Sequence, residues 1–170
     1  NLRHALMTGT VLKECDPSEI TEETAKKCIE SFIGEYDQIP PMYSALKVNG
    51  KKLYELAREG KVVERKSRKV QIYDIRIKEM KLPRIRMEVS CSKGTYIRTL
   101  CNDVGEVLGV GGCMESLLRT KVSRFELKDS MKLADIEKAK NEGRTEEIIL
   151  PLDEVFVEYP KIIVTGRQAQ

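Results

Sequence analysis

The stretch Cys91-Ser92-Lys93-Gly94-Thr95-Tyr96-Ile97-Arg98-Thr99-Leu100 joins two different periodicities, and that change of period governs what the chain around it can become. Before it, Ile85, Met87, Val89 and Cys91 alternate with Arg84, Arg86, Glu88 and Ser90. A period of two predicts a strand over 84–91 with one apolar and one polar face. After it, Ile97, Leu100, Cys101, Val104, Val107 and Leu108 recur at helical spacing. Ser92-Lys93-Gly94-Thr95 is then a strand-to-helix turn, with Gly94 free of a Cβ and Thr95 predicted as the helix N-cap. Backbone N–H groups, the helix dipole and Lys93 all favour an anion there. Tyr96 and Arg98 fall in the first turn, where side chains reach into a cleft. Taken locally, the same residues also read as a capped junction with a solvated Lys and Arg, a common feature of α/β folds.

The rest of the chain supplies partners for that strand and helix. Thr21 is a predicted N-cap, followed by Glu22 and Glu23 at the positive end of the dipole. Ala25, Cys28, Ile29, Phe32 and Ile33 make one apolar stripe, which predicts a helix over 22–33 stopped at Gly34. Pro40 and Pro41 bias their predecessors away from the helical region, so 38–41 is extended. Asn49-Gly50 signals a hairpin, and Leu53, Leu56 and Ala57 a short helix ended by Gly60. Val70 and Ile72 alternate in one phase, and Ile75 and Ile77 in the other, which implies a bulge near Tyr73. Leu82-Pro83 is a turn, so the strand at 84–91 pairs antiparallel with the one before it. Further on, Gly109, Gly111 and Gly112 permit tight backbone without forming a dinucleotide fingerprint. A short helix over 114–119, a strand over 122–127, a weak helix carrying Leu133, Ile136 and Ala139, and a strand-like run over 159–164 follow. Thr8 to Leu12 ends in a short strand, and there are no internal repeats.

Charge narrows the class of partner. The net charge is +3, but over 47–86 fourteen Lys/Arg stand against five Asp/Glu, a local balance of +9. A basic stretch beside an acidic remainder marks a polyanion-facing surface or, equally, a solvated charged face. Tyr43, Tyr54 and Tyr73 interleave with these charges and can stack on unpaired bases or sit half-buried with the hydroxyl wet. Five cysteines, with no C-x-x-C, read as reduced thiols of a cytoplasmic protein and not as a disulfide frame or a zinc site; Cys28 and Cys101 fall on apolar helix faces. No apolar run approaches the length of a membrane span and no signal peptide is visible. His4, the one histidine, is a candidate base but reads better as a surface residue near a terminus.

Lys-Gly-Thr-Tyr-Ile-Arg-Thr-Leu at 93–100, continued by Asp103-Val104-Gly105-Glu106, resembles a motif of the TruB family of tRNA pseudouridine synthases. So does Pro40-Pro41-Met42-Tyr43-Ser44-Ala45-Leu46-Lys47-Val48-Asn49-Gly50, carried on through Leu53-Tyr54-Glu55-Leu56-Ala57-Arg58. The resemblance runs from about 20 to about 127 and, with two long motifs, is specific. It implies a parent enzyme, an isomerase acting on the T-loop uridine of tRNA (position 55) without metal or cofactor. It implies an α+β fold: a mixed, largely antiparallel sheet with packed helices and an RNA-binding cleft. It implies Arg98 as the arginine that pairs with a catalytic aspartate, Tyr96 as the tyrosine near the flipped base and Leu117 as the leucine of the apolar pocket. An arginine can hold a buried carboxylate through two parallel hydrogen bonds and keep it ionised, while a tyrosine and a leucine retain an extruded base. Lys93, Lys47 and Tyr43 are the expected RNA contacts, and the T-arm stem-loop the expected partner. Arg98 as a plain surface arginine and Leu117 as a core leucine are the alternatives.

The family's aspartate lies in Gly-x-Leu-Asp-x-x-Ala-x-Gly, and none of Asp16, Asp37, Asp74, Asp103, Asp129, Asp135 or Asp153 is followed by x-x-Ala-x-Gly. The chain is therefore expected to be a fragment: 1–157 the C-terminal part of a catalytic domain, 158–170 the truncated start of a PUA-like domain. Such a fragment is expected to be inactive alone and to self-associate through an exposed sheet edge. Where the family often has histidine, this chain has Cys113. Two other classes compete: a non-catalytic RNA-binding module, and a protein-interaction domain whose basic face meets an acidic partner.

Overall fold

The computed structural model describes residues 15–160 and residue 162. His4, the short strand ending at Leu12, half of the 159–164 run and most of the expected domain at 158–170 lie outside the described residues. Compactness divides the chain into two units, Asn1–Leu117 and Leu118–Gln170.

In the first unit, helix α1 (Glu22–Glu30) starts as its sequence predicts: Thr21 is extended, and its side chain accepts from the Thr24 N–H at 3.1 Å. Ala25, Cys28 and Ile29 are its buried stripe. The helix stops short of residue 33. Ser31 occupies the C-cap, and its hydroxyl donates to the Cys28 carbonyl at 2.7 Å, a local bond that competes with a further turn. Gly34 is thus not the stop but the first residue of strand β1 (Gly34–Gln38). The hairpin β2 (Lys47–Val48) and β3 (Lys51–Lys52) turns on Asn49 and Gly50, both at positive φ, as a two-residue loop of that type requires. Helix α2 (Leu53–Arg58) follows directly and buries Leu53 and Leu56.

Strands β4 (Arg68–Lys81) and β5 (Arg84–Cys91) complete a sheet of order β1-β4-β5 with both ladders antiparallel. The register slips between Ile72 and Asp74, leaving Tyr73 as the extra residue. That bulge returns Ile75 and Ile77 to the face already held by Val70 and Ile72, which accounts for the phase change in the sequence. A second slip, between Ile77 and Glu79, had no sequence signal.

Helix α3 (Ile97–Val107) closes the layer. Cys28 and Ile29 of α1, Ile72 and Ile75 of β4, and Leu100 and Val104 of α3 form the core, with Ile85, Met87, Val89 and Cys91 packed against it. The Cys28 thiol donates to the Val104 carbonyl at 3.7 Å and ties the two helices together. Val107, read as part of the apolar face, is 66% exposed, while Gly105 is buried with Leu100 and Val104.

The expected helix over 114–119 is absent: the segment is irregular, with Leu118 69% exposed. A single turn or two of helix gains nothing unless an apolar face is covered. In the second unit, the expected strand over 122–127 is instead a hairpin of β6 (Lys121–Val122) and β7 (Phe125–Glu126), folded at Ser123, which takes positive φ. A 3₁₀ turn (Leu127–Asp129), helix α4 (Leu133–Asn141), a second 3₁₀ turn (Thr145–Glu147) and the short α5 (Leu152–Val155) follow. Among the described residues of this unit, Ala139 alone is buried.

Candidate active site

The turn between β5 and α3 is made by side chains as much as by Gly94, which takes φ +84°. Ser92 adds a rung to the β4–β5 ladder: its N–H donates to the Gln71 carbonyl at 2.8 Å, and its hydroxyl accepts from the Gln71 N–H at 3.0 Å. Thr95 Oγ1 donates back to the Ser92 carbonyl at 2.9 Å. Thr95 therefore closes the turn and does not cap the helix. The cap position falls one residue later, on Tyr96, whose own side chain makes no capping bond.

The missing cap comes from another strand. Gln38, at the end of β1 and only 1% exposed, presents its side-chain amide to Tyr96. Gln38 Oε1 accepts from the Tyr96 N–H at 2.8 Å, and Gln38 Nε2 donates to the Tyr96 carbonyl at 3.1 Å. The other Nε2 proton goes to the Tyr36 hydroxyl. Burial pushes that hydroxyl up to about 12, against the opposing pull of the Gln38 hydrogen bond and with a smaller contribution from the Asp103 charge. Burial also pushes the Asp103 carboxyl above its usual range, opposed by the Asn102 hydrogen bond at 3.4 Å. Sequence reasoning missed Gln38, since a glutamine before Ile-Pro-Pro carries no periodic signal.

Arg98 is the second residue of α3, and its Nε is buried with no hydrogen-bond partner among the described residues. A buried unmatched donor of a charged group costs of the order of 1–3 kcal/mol or more, so a group left this way calls for an acceptor. Lys93 is exposed at the apex of the turn. Lys93, Tyr96 and Arg98 are thus brought together on one rigid junction, with Gln38 fixing its end.

The other expected residues lie on different elements. Tyr43 sits exposed in the segment after Pro40-Pro41, five residues beyond Gln38, and Lys47 exposed in β2. Leu117 closes the first unit on the irregular segment, 55% exposed, and is not set on a helix beside α3. That segment leaves α3 through a close backbone contact. A Cβ on Gly105 would lie 2.0 Å from Gly112 N, and one on Gly112 would lie 2.3 Å from the Cys101 carbonyl oxygen. In the glycine run, Gly109 and Gly111 serve turning, at positive φ, and Gly112 serves close approach. Burial pushes the Cys101 thiol up to about 11, with Cys113 adding to the shift.

The basic stretch separates into two parts. On the sheet beyond Arg68 its cations are matched: Arg76 with Asp74 at 2.7 Å, Lys78 with Glu88 at 2.9 Å, Lys81 with Glu79 at 2.7 Å and Lys69 with Glu35 at 2.5 Å. Lys47 on β2, Arg58 on α2, Lys66 just before β4 and Arg68 at its start have no carboxylate partner among the described residues, while Lys51 and Lys61 both pair with Glu59, at 3.9 Å and 2.7 Å. Tyr54 is held there by its own cations, Lys52 Nζ at 5.4 Å and Arg58 Cζ at 5.3 Å from the ring centre. An open groove lined by residues such as Glu22, Arg76, Ile77 and Met80 carries none of the candidate residues. Among the described residues no group of three or more His, Cys, Asp or Glu side chains is disposed to hold a metal ion, and no helix is long and apolar enough to cross a membrane.

Comparison with known proteins bears on this junction. The family model described as "TruB family pseudouridylate synthase (N terminal domain)" matches residues 4–97, and "tRNA pseudouridylate synthase B C-terminal domain" matches residues 98–157. The tRNA pseudouridine synthase B of Lachnoclostridium phytofermentans is 52% identical over 144 residues, 80% of this chain and 47% of that protein. The tRNA pseudouridine synthase B of Clostridium tetani is 49% identical over 154 residues, 91% of this chain and 52% of that protein. Among solved structures, a chain of the crystal structure of a Cbf5-Nop10-Gar1 complex matches with TM-score 0.62 and 26% identity, over 80% of this chain and 39% of that one. The chain thus spans about half the length of the curated relatives it matches. The α+β fold, the motifs at 40–58 and 93–106, and matches that together run from residue 4 to residue 157 lead to one conclusion: this chain belongs to the TruB family of pseudouridylate synthases.

Proposed function

We propose that this chain is the part of a tRNA pseudouridine synthase that brings Tyr96 and Arg98 to the reacting uridine, and that the whole protein isomerises the T-loop uridine at position 55 of tRNA in the cytoplasm. The observation that carries this reading is Arg98: a guanidinium on the first turn of a helix, with a buried Nε lacking an acceptor among the described residues. A carboxylate supplied from outside this chain would satisfy it through a charge-assisted bond and be held ionised by it. In the family that carboxylate is the catalytic aspartate of Gly-x-Leu-Asp-x-x-Ala-x-Gly, a string this chain does not contain. Tyr96 packs beside the extruded base, Leu117 closes the apolar pocket, and Lys93, Lys47 and Tyr43 contact the T-arm. The chain alone is then inactive. The test is Arg98→Ala in the full-length protein. Turnover is expected to fall ~100-fold or more, with tRNA affinity changed less than ~3-fold. Normal turnover in that variant, or pseudouridine formed by the chain alone, removes the reading.

A second reading has its own support. The unmatched cations Lys47, Arg58, Lys66 and Arg68 suit a module that binds RNA without chemistry. It predicts tight T-arm binding by the chain alone, with a steep salt slope; indifference to RNA at moderate salt would favour an acidic protein partner instead.

A further inference from the structure

Tyr96 opens α3 with no capping bond from its own side chain, yet both polar groups of its backbone are taken. Its carbonyl accepts twice, from the Leu100 N–H at 3.0 Å inside the helix and from Gln38 Nε2 at 3.1 Å across the fold. Its N–H donates to Gln38 Oε1 at 2.8 Å. The amide behaves as one extra rung of sheet laid against the first residue of a helix. It is buried, and its remaining donor is committed to Tyr36, so it has no freedom to turn. Backbone at a helix start is otherwise the part of a helix most free to fray.

We propose that Gln38 is a positioning residue: by clamping the Tyr96 backbone it fixes the entry of α3, and so sets the Tyr96 ring and the Arg98 guanidinium at the reacting uridine. This rests on the enzymatic reading above. The hydrogen bonds of Gln38 go to Tyr36 and Tyr96 and not to Arg98, so it acts through the peptide groups of Tyr96. A shift of about 1 Å at a reacting centre can cost ~100-fold in rate, which is the scale on which such a clamp acts.

The test uses the full-length protein that contains this chain, unchanged and as Gln38→Leu and Gln38→Glu. Gln38→Leu keeps an apolar bulk and removes all three hydrogen bonds. Turnover at saturating tRNA should fall ~10- to 100-fold, with tRNA affinity changed less than ~3-fold. Gln38→Glu carries its own control. A protonated carboxyl has one donor and one acceptor and can serve Tyr96 as the amide does; an ionised one has acceptors only and faces the Tyr96 carbonyl. Burial raises the pKa of such a carboxyl. Turnover relative to the unchanged protein should therefore be close to normal in mild acid and fall ~10-fold as pH rises from about 5 to about 8. A side chain needed only for folding would lower the folded fraction and leave turnover per folded molecule unchanged at every pH. That result overturns the proposal, as does a Gln38→Leu protein within ~2-fold of normal turnover or a loss confined to tRNA affinity. If Gln38→Leu does not fold, the pH profile of Gln38→Glu decides. If the unchanged protein makes no pseudouridine, the enzymatic reading fails on its own. The clamp is then read from the nuclear magnetic resonance signals of the Tyr96 amide and the Arg98 Nε–H, which move with the titration of Gln38→Glu if it holds the turn and stay fixed if it does not.

Discussion

Tyr36 and Gln38 leave β1 on the same face, and between them they make the wall behind Tyr96. The phenol carries a pH dependence that can be measured. Burial raises its hydroxyl from an ordinary 10.0 to about 12, so the folded protein keeps a proton that the unfolded chain releases first. The stability that follows is fully present below the unfolded value and is lost as pH rises through the folded one. Across that alkaline window the loss is about 1–2 kcal/mol, once the partly exposed ring is discounted for solvent screening. Tyr36→Phe should flatten this part of the stability profile, read by urea unfolding at a series of alkaline pH values. Identical slopes in both proteins would mean that the hydroxyl is not held in its native proton state. At this scale the sequence carried Lys93, Tyr96 and Arg98 openly, because neighbours in a turn stay neighbours in the fold. Gln38 was invisible for the opposite reason. Its partner is far along the chain, and the atoms it binds are backbone, which leaves no side-chain pattern to find. Thr95 misled because a threonine before a helix has two uses, and here closing the turn onto Ser92 prevailed over capping.

The helix α3 and the glycine run after it are one device. Gly105 and Gly112 meet backbone to backbone, at distances that exclude any Cβ. Alanine is the better helix former by about 1 kcal/mol, so Gly105→Ala would stabilise an isolated helix. Here the added Cβ would meet Gly111 C at 2.1 Å as well as Gly112 N, atoms that cannot swing aside. The expected net effect is a loss of about 2 kcal/mol or more, seen as a lower denaturation midpoint. A Gly105→Ala protein more stable than the original would show that the loop does not lie on the helix. The elements on either side were read well from sequence where a core forced a period on them: β5 residue for residue, α3, α1 at its start, and the bulge at Tyr73. They were read badly where no core does so. The segment 114–119 reads as a short helix carrying Leu117 and Leu118, but both are exposed, and 122–127 has strand-forming residues interrupted by a turn at Ser123. Apolar spacing is a prediction about burial, and it fails where burial is not supplied.

The charge asymmetry was legible for the whole chain, but not its neutralisation. Pairing within β4 and across to β1 and β5 absorbs most of the sheet's share, and the unmatched cations include Lys47 and Arg58 on the hairpin and α2, Lys66 just before β4 and Arg68 at its start. What the fold leaves open lies elsewhere. The sheet has β1 and β5 as its outer strands, and neither has a partner on its outer side among the described residues. In the second unit Val122, Phe125, Leu133, Ile136 and Phe156 are all exposed among the described residues. Unpaired strand edges and exposed apolar side chains both favour association with another chain. The relatives are about twice as long, so in a whole protein of the family the remaining half is available to cover such surfaces. For this chain by itself, a second copy is the nearest source of cover. Arg84, Arg86 and Glu88 on the outward face of β5 disfavour unlimited stacking, so small assemblies are expected over large aggregates. Sedimentation equilibrium of the isolated chain should show mass above the monomer at micromolar to millimolar concentrations, where exposed edges and apolar surface drive self-association. Raising the salt should leave that mass in place, because strand pairing and apolar cover are not screened as exposed charges are. A mass that fell to the monomer in salt would assign the association to charge. A clean monomer at high concentration in low salt would mean that the edges are already protected within this chain.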